Sequence, residues 1–367
     1  MSVKQHAVYT AYLQAIAVTT RDVNENTTAT TQLSLSHPLD ISPTLSAPCS
    51  YDALLNMLST ALGCSLHESI VEYFTARRDG NSYTYLAPRP DCNLRTYWWK
   101  HPHVVYDESS VTWTLKQLNL IAGAVDWVHT TPLPDSPLIR LKYNAVDDSS
   151  QYRCHGEISS HNILWYGDDL LGAKQGVVGG SLKVIDFVVR RLAITSAGMN
   201  ARLEDSSYRH FNPNNAPEGH LVPKSTVLTK AFDIWQLGCL YLEFVTWLLQ
   251  GFTGVDEFED FREVYDPDIR IFDEYFYDVT VIEGVPGPNG KGHAIASKKV
   301  VEWVDKLHRL PHCSQSIHDV LDLVMEHLLV IDPEKRMKCS LVEQRLSEIF
   351  RRAEEDHDYI LKPAPRA

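Results

Sequence analysis

Cys154–Tyr166 reads CHGEISSHNILWY, and Leu182–Val188, about twenty residues further on, reads LKVIDFV. In the first stretch His155 is followed two positions later by an acid, Glu157. Asn162 comes five positions after that acid, directly ahead of the apolar run Ile163–Tyr166. In the second, Leu182–Ile185 runs into Asp186-Phe187. Short runs of this kind, bounded by polar residues and a glycine-rich segment, predict strands over 163–166 and 182–185 around a loop at 167–180.

Three more motifs follow in order. Ala216-Pro217-Glu218 lies about thirty residues after Asp186. About fifteen residues after Glu218, Asp233-Ile-Trp-Gln-Leu-Gly238 opens a long apolar helical pattern. Ile331-Asp-Pro-Glu-Lys-Arg336 stands near the end of the chain.

With these motifs in this order, the chain resembles a protein kinase. The resemblance covers roughly residues 85–355, and its wording is closest to protein-kinase-like proteins of filamentous fungi. It implies an α+β, bilobal fold with a reduced β-rich N-lobe over 1–88 and a mainly helical C-lobe over 89–367. A catalytic loop would lie at 153–162 and an activation segment at 186–218. In phosphoryl transfer an acid accepts the proton of the attacking hydroxyl, and an Asn and an Asp hold the Mg²⁺ ions that neutralise the triphosphate. The resemblance puts Glu157, Asn162 and Asp186 in these roles, with Asn162 and Asp186 as cofactor and metal ligands. ATP and Mg²⁺ are the cofactors if the site is active, and none is required if it is not. His155, Glu218, Asp233 and Arg336 take structural places, with Arg336 facing Glu218. Glu218, Asp233 and Arg336, with Trp235 and Gly238, can serve architecture alone, as a buried ion pair and a packed helix.

The departures from the family's pattern are as informative. Glu157 stands where the family has Asp, which moves the carboxylate by about 1.5 Å, one C–C bond. A misplacement of about 1 Å can cost on the order of 10²-fold in an oriented reaction. Gly156 replaces the Arg before the acid, Ser159 the Lys after it, and Val188 the Gly after Asp-Phe. Without that Arg, a phosphate on the activation segment loses its pairing partner, so Thr195, Ser196, Ser206 and Ser207 read as ordinary loop residues. Before Lys100 the sole lysine is Lys4, and before residue 80 the sole glycine is Gly63. A phosphate-holding lysine and a glycine-rich lid therefore have no place to be written. Arg21, Arg77 and Arg78 are the basic residues nearest to that need.

The 367 residues, 44% hydrophobic, suffice for two domains or one bilobal unit. A net charge of −13, spread along the chain, argues against a general nucleic-acid or anionic-membrane surface. The seven cysteines show no Cys-x-x-Cys pair and read as small buried hydrophobes. The short N-terminal apolar stretch Ala11–Val18 shows no cleavage site, and the longest apolar run, Cys239–Gln250, contains Glu243 and is too short for a span. The expected protein is intracellular, cytoplasmic or nuclear.

Periodicity predicts helices over 51–62, 92–100, 111–129, 229–250, 316–329 and 340–354. Strands 69–74 and 82–86 form a hairpin at Asp79-Gly80. Residues 20–48 read as loop with at most one short strand, while 131–150 and 284–292 read as loops. His101, His103, His155 and His161 lack a familiar ligand spacing and read as surface or structural residues. The acidic run Asp256–Phe261, with Asp273–Asp278, reads as a solvated face with aromatic anchors, or else as a partner-docking surface.

The function expected first is a pseudokinase, a binding or scaffolding module with a protein partner of unknown identity and weak or absent ATP binding. The alternative is an unconventional Ser/Thr kinase using Glu157 as base. A small-molecule phosphotransferase of the choline or aminoglycoside kinase type shares the His-Gly-acid loop but lacks the Ala-Pro-Glu and Asp-x-Trp-x-x-Gly segments. A gene product that has lost its N-lobe exons is a fourth possibility.

Overall fold

In a computed structural model of the chain, the described residues are 67–71, 90–130, 154–167, 178–184, 213–219, 229–265, 274–280 and 292–366. To these are added the backbones of the strands at 16–19, 30–35, 75–79, 82–88 and 271–273, and of residues 220, 221 and 266. The architecture is mixed α+β, mostly helical, with small antiparallel sheets.

β1 (Ile16–Thr19), β2 (Thr30–Leu35), β3 (Thr75–Asp79) and β4 (Ser82–Pro88) form an antiparallel sheet in the order β1-β2-β4-β3. Asp79 pairs with Ser82, so the expected hairpin is present. Its first strand is Thr75–Asp79, not 69–74. Residues 69–71 are committed elsewhere: Val184 N–H donates to the Ser69 carbonyl at 2.7 Å, and Val71 N–H to the Val184 carbonyl at 3.0 Å. Ile70 and Val71 are buried there, so apolar burial on a sheet edge takes them out of the hairpin.

β5 (Cys92–Asn93) leads into α1 (Leu94–Lys100), whose first turn is capped by Asn93 Oδ1 accepting from Thr96 N–H at 2.8 Å. The expected helix therefore starts two residues late, because Asn93 is its cap and Cys92 pairs with Trp165. α2 (Glu108–Thr130) is longer than the periodicity suggested. β6 (Ile163–Tyr166) and β7 (Ser181–Val184) complete a three-stranded sheet ordered β5-β6-β7, with Ile163 opposite Val184.

After α3 (Pro217–Leu221) comes α4 (Lys230–Arg262), where the expected helix ended near residue 250. It bends at Gly251, at φ 71°, and continues through the acidic run. An added Cβ there would lie 2.2 Å from the Pro102 carbonyl oxygen. Gly251→Ala is therefore expected to combine left-handed strain with a backbone clash and to cost about 2–4 kcal/mol. A urea midpoint unchanged from the wild type would contradict this.

Two hairpins follow, β8 (Val264–Asp266) with β9 (Ile271–Asp273), then β10 (Tyr277–Thr280) with β11 (His293–Ala296). α5 (Lys298–His308) and α6 (Gln315–Leu323) come next. The expected helix at 316–329 gives way to a π-helical turn at Val324–Leu328. α7 (Cys339–Glu355) and α8 (His357–Leu361) end the described chain.

The core is one cluster that joins α2, α4, α5, α6 and α7 to Ile70, Val71 and β7. Its aromatic centre is Trp98, Phe244 and Trp247, with Trp98 stacked on Trp247 at 6.3 Å. The apolar run of α4 is spent on this interior, with Trp235, Leu237 and Phe244 fully buried. Among the described residues no helix is long and apolar enough to cross a membrane. None of the five described cysteines forms a disulfide, and four of them are buried.

Candidate functional site

The loop Cys154–Asn162 is held from below by the first turns of α4. Asp233 is fully buried. Its Oδ2 accepts from His155 N–H at 2.7 Å and from His129 Nε2 at 2.8 Å, and its Oδ1 accepts from Gly156 N–H at 2.7 Å. Two backbone amides of the loop and the last turn of α2 thus meet on one carboxylate. A carboxylate can only accept, which puts the proton of this bond on His129 Nε2. One turn along α4, Gln236 Oε1 accepts from Ile158 N–H at 2.9 Å, while its Nε2 donates to the Gly156 carbonyl at 3.4 Å. Residues three apart on a helix share a face, so Asp233 and Gln236 present acceptors side by side.

Gly156 sits at φ 82° between these contacts. That left-handed conformation suits glycine and strains other residues, so glycine eases the bend that the two Asp233 bonds impose. Ile158 and Ile163 are fully buried and pin the loop from the other side.

Within the loop, Asn162 Nδ2 donates to the Glu157 carbonyl oxygen at 2.7 Å, and Asn162 N–H to the Ser159 carbonyl at 2.9 Å. Glu157 N–H donates to His155 Nδ1 at 3.3 Å. His155 is buried and Glu157 is half-buried. The structure thus brings His155, Glu157 and Asn162 together; Asp186 lies outside the described residues. With Nδ2 committed to Glu157, Asn162 has Oδ1 as the one amide atom that suits a hard cation such as Mg²⁺. One neutral oxygen does not make a site, and among the described residues no three His, Cys, Asp or Glu side chains gather as metal ligands.

Glu218 and Arg336 meet as a bidentate pair at 2.6 and 2.8 Å. The same guanidinium donates to the carbonyls of Val330, Ala231 and Ile331, and lies 5.0 Å from the Trp235 ring centroid.

Three residues that shape this site carried no role in the sequence reading. His129 is a second anchor of Asp233. Gln236 was visible in principle, as the polar residue one turn after Asp233 on an otherwise apolar helix. Arg95 of α1 donates its N–H to the Ser160 carbonyl at 3.2 Å and its Nη2 to Asp256 and Glu259 at 3.0 and 2.8 Å. Two carboxylates of the acidic run hold Arg95, and Phe258 is a buried aromatic anchor, while Glu257, Asp260 and Phe261 are exposed. His161 flanks that arginine; desolvation, and then the Arg95 charge, push its imidazole well below the ordinary value. His101 Nδ1 lies 2.9 Å from the Tyr97 carbonyl, a structural contact, and His103 is exposed.

No protein-family model matches the chain, and no curated protein matches it.

Proposed function

We propose that the chain is a protein-kinase-like domain that works as a binding or scaffolding module for a protein partner, with phosphoryl transfer impaired or lost. The kinase-like half of this reading rests above all on Asp233. One buried carboxylate at the start of a central helix grips the backbone of the His155–Glu157 loop, in a chain whose motifs already resemble that family. The Glu218–Arg336 pair supports the same reading. On it, residues 1–88 form a reduced N-lobe and the rest a helical C-lobe. Fold likeness alone does not supply the activity.

The binding-module half rests on chemistry that the chain lacks. No lysine stands between Lys4 and Lys100, and Gly63 is the one glycine before residue 80. ATP would have neither a phosphate clamp nor a lid. If Mg²⁺–ATP binds at all, Asn162 and Asp186 would hold the metal, which would neutralise phosphate charge there.

Calorimetry of ATP with Mg²⁺, with Mn²⁺ and without metal is the test. The expected result is no heat of binding at millimolar ATP. Metal-dependent binding that disappears in Asp186→Ala would overturn the binding-module reading in favour of a working nucleotide site. That second reading, a Ser/Thr kinase with Glu157 as base, draws on the Asn162–Glu157 bond that keeps the loop closed. It requires phosphorylation that falls by at least about 10²-fold in Glu157→Gln.

A further inference from the structure

The last described residues run back across the turn between α5 and α6. Ala364 N–H donates to the Cys313 carbonyl at 2.8 Å, and Arg366 N–H to the His308 carbonyl at 3.0 Å. The second bond satisfies a carbonyl at the end of α5 that a helix leaves open. Pro363 bridges to Ser314. The Arg366 guanidinium meets Asp322 of α6 as a bidentate pair, at 2.7 and 2.6 Å.

Against this strap two imidazoles face each other, with His308 Nδ1 2.7 Å from His318 Nδ1. His318 Nε2 lies 2.6 Å from the Ala364 carbonyl oxygen. A carbonyl can only accept, so the neutral His318 ring carries its proton on Nε2. Its Nδ1 is then the acceptor within the pair, and His308 Nδ1 is the donor. The remaining nitrogen, His308 Nε2, has no proton and lies 3.7 Å from Asp322 Oδ1. The next proton goes there, and it sets a second cation against a carboxylate whose two oxygens already hold Arg366.

We propose that residues 363–366 form a strap that is shut at neutral pH and released by acid, with the proton that opens it entering at His308 Nε2. The charged ring draws Asp322 to itself and repels the guanidinium. A further proton, on His318 Nδ1, would set two N–H groups against each other. Release frees the His308 and Cys313 carbonyls and uncovers the turn, where Cys313 and Ser314 are fully buried.

Other charged and titratable groups surround the pair. Asp305 of α5 lies 4.0 Å from Arg309. Asp319 of α6 accepts from the Tyr359 hydroxyl of α8 at 2.6 Å and lies 3.5 Å from Arg352 of α7. The Cys313 thiol is 3.7 Å from His318 Nδ1, and the Tyr106 and Ser314 hydroxyls are bonded at 2.7 Å. Glu326, His327 and Arg345 line the groove beside Asp319 and Asp322, and Lys362 pairs with Asp358.

Burial, then the charge of Arg366 and the His318 ring, push His308 down to about 4, with Asp322 and Asp305 opposing. Burial lowers His318 as well. Asp322 is held below the ordinary carboxylate value by its Arg366 hydrogen bonds, so it stays charged in this range. The sign follows from linkage. Once the strap is open, His308 binds its proton near 6.5, and in the closed form near 4. Closure is therefore fully favoured above the upper value and is lost as pH falls toward the lower one. This inference does not depend on whether the loop at 154–162 carries out phosphoryl transfer.

The test is ¹⁵N NMR of the imidazoles in the full chain, paired with amide exchange at Ala364 and Arg366 corrected for intrinsic rates. At about pH 7.5 His308 should be the Nδ1–H tautomer and His318 the Nε2–H tautomer. Protection at both amides should fall about tenfold by about pH 5, the change that one unit of linked shift provides, while Leu240 in α4 keeps its own. His308→Asn offers an amide donor in place of Nδ1–H and no site for the acid proton, so the acid loss should vanish. Arg366→Gln removes the cation that opposes that proton and should move the His308 midpoint up. That readout survives even if His308→Asn does not fold. Four results would overturn the strap: the reverse tautomers, protection at 364 and 366 that is unchanged or falls in step with Leu240, an acid transition that persists in His308→Asn, or a His308 midpoint that stays or falls in Arg366→Gln.

Discussion

Asp233→Ala is expected to release the Cys154–Asn162 loop and to destabilise the protein by about 3–5 kcal/mol. Three donors, His129 Nε2, His155 N–H and Gly156 N–H, lose their acceptor in a site with no solvent access. Each buried donor left without a partner costs about 1–3 kcal/mol. Asp233→Asn should recover little, since its amide turns one acceptor into a donor that faces other donors. Gln236→Ala, which strands mainly Ile158 N–H, should cost about 1–2 kcal/mol by the same reasoning. Urea unfolding with proteolysis at the loop measures both effects. A loss under about 1 kcal/mol for Asp233→Ala would mean that the loop is held from elsewhere.

Arg336→Ala should cost a comparable amount, about 3–5 kcal/mol, because it leaves the Glu218 carboxylate without its counter-charge. The guanidinium has five N–H bonds and uses all five: one to Val330, two to Glu218, one to Ala231 and one to Ile331. Arg336→Lys keeps the charge but offers three donors from a single point. It cannot span a bidentate carboxylate and three carbonyls, so it should recover less than half of the loss. A double-mutant cycle with Glu218→Ala should return a coupling of at least about 1 kcal/mol. Additive effects would show that the carbonyl contacts, and not the ion pair, carry the position.

Both substitutions act on stability whatever the loop does chemically, which is why neither can substitute for the nucleotide-binding experiment. Asp233 and Arg336 would be kept by a binding module as firmly as by an enzyme. Asn162 and Glu157 are the residues on which the two readings differ.

Local pattern carried a good part of this structure. Ile163–Tyr166 and Ser181–Val184 are strands because their β-branched and aromatic residues sit between polar and glycine punctuation. α2 and α7 follow from apolar residues at helical spacing. α5 was legible too, with Val300, Trp303, Val304 and Leu307 on one face, yet it lay in the shadow of the acidic and glycine-rich segments before it. The break of α6 into a π-helical turn at Val324 had no local signal, because Val324–Leu328 contains no glycine or proline to mark it.

What lay outside local pattern was contact between distant residues. Periodicity says that α4 has an apolar face and that Asp233 begins it. It does not say that His129, 104 positions earlier, closes on the same carboxylate. Arg95 with Asp256 and Glu259, 161 and 164 positions apart, could not be read from either segment alone. The meeting of Glu218 and Arg336 was anticipated from resemblance, not from spacing. The physical reason is that helix and strand periods arise from contacts within a few residues, which composition and order determine. Which charged side chain finds which partner depends on how whole faces pack, and burial then sets its protonation. Glu243 shows the division most plainly: along the chain it is one acid interrupting an apolar run, and in the fold it is buried, which pushes its carboxyl above the ordinary value.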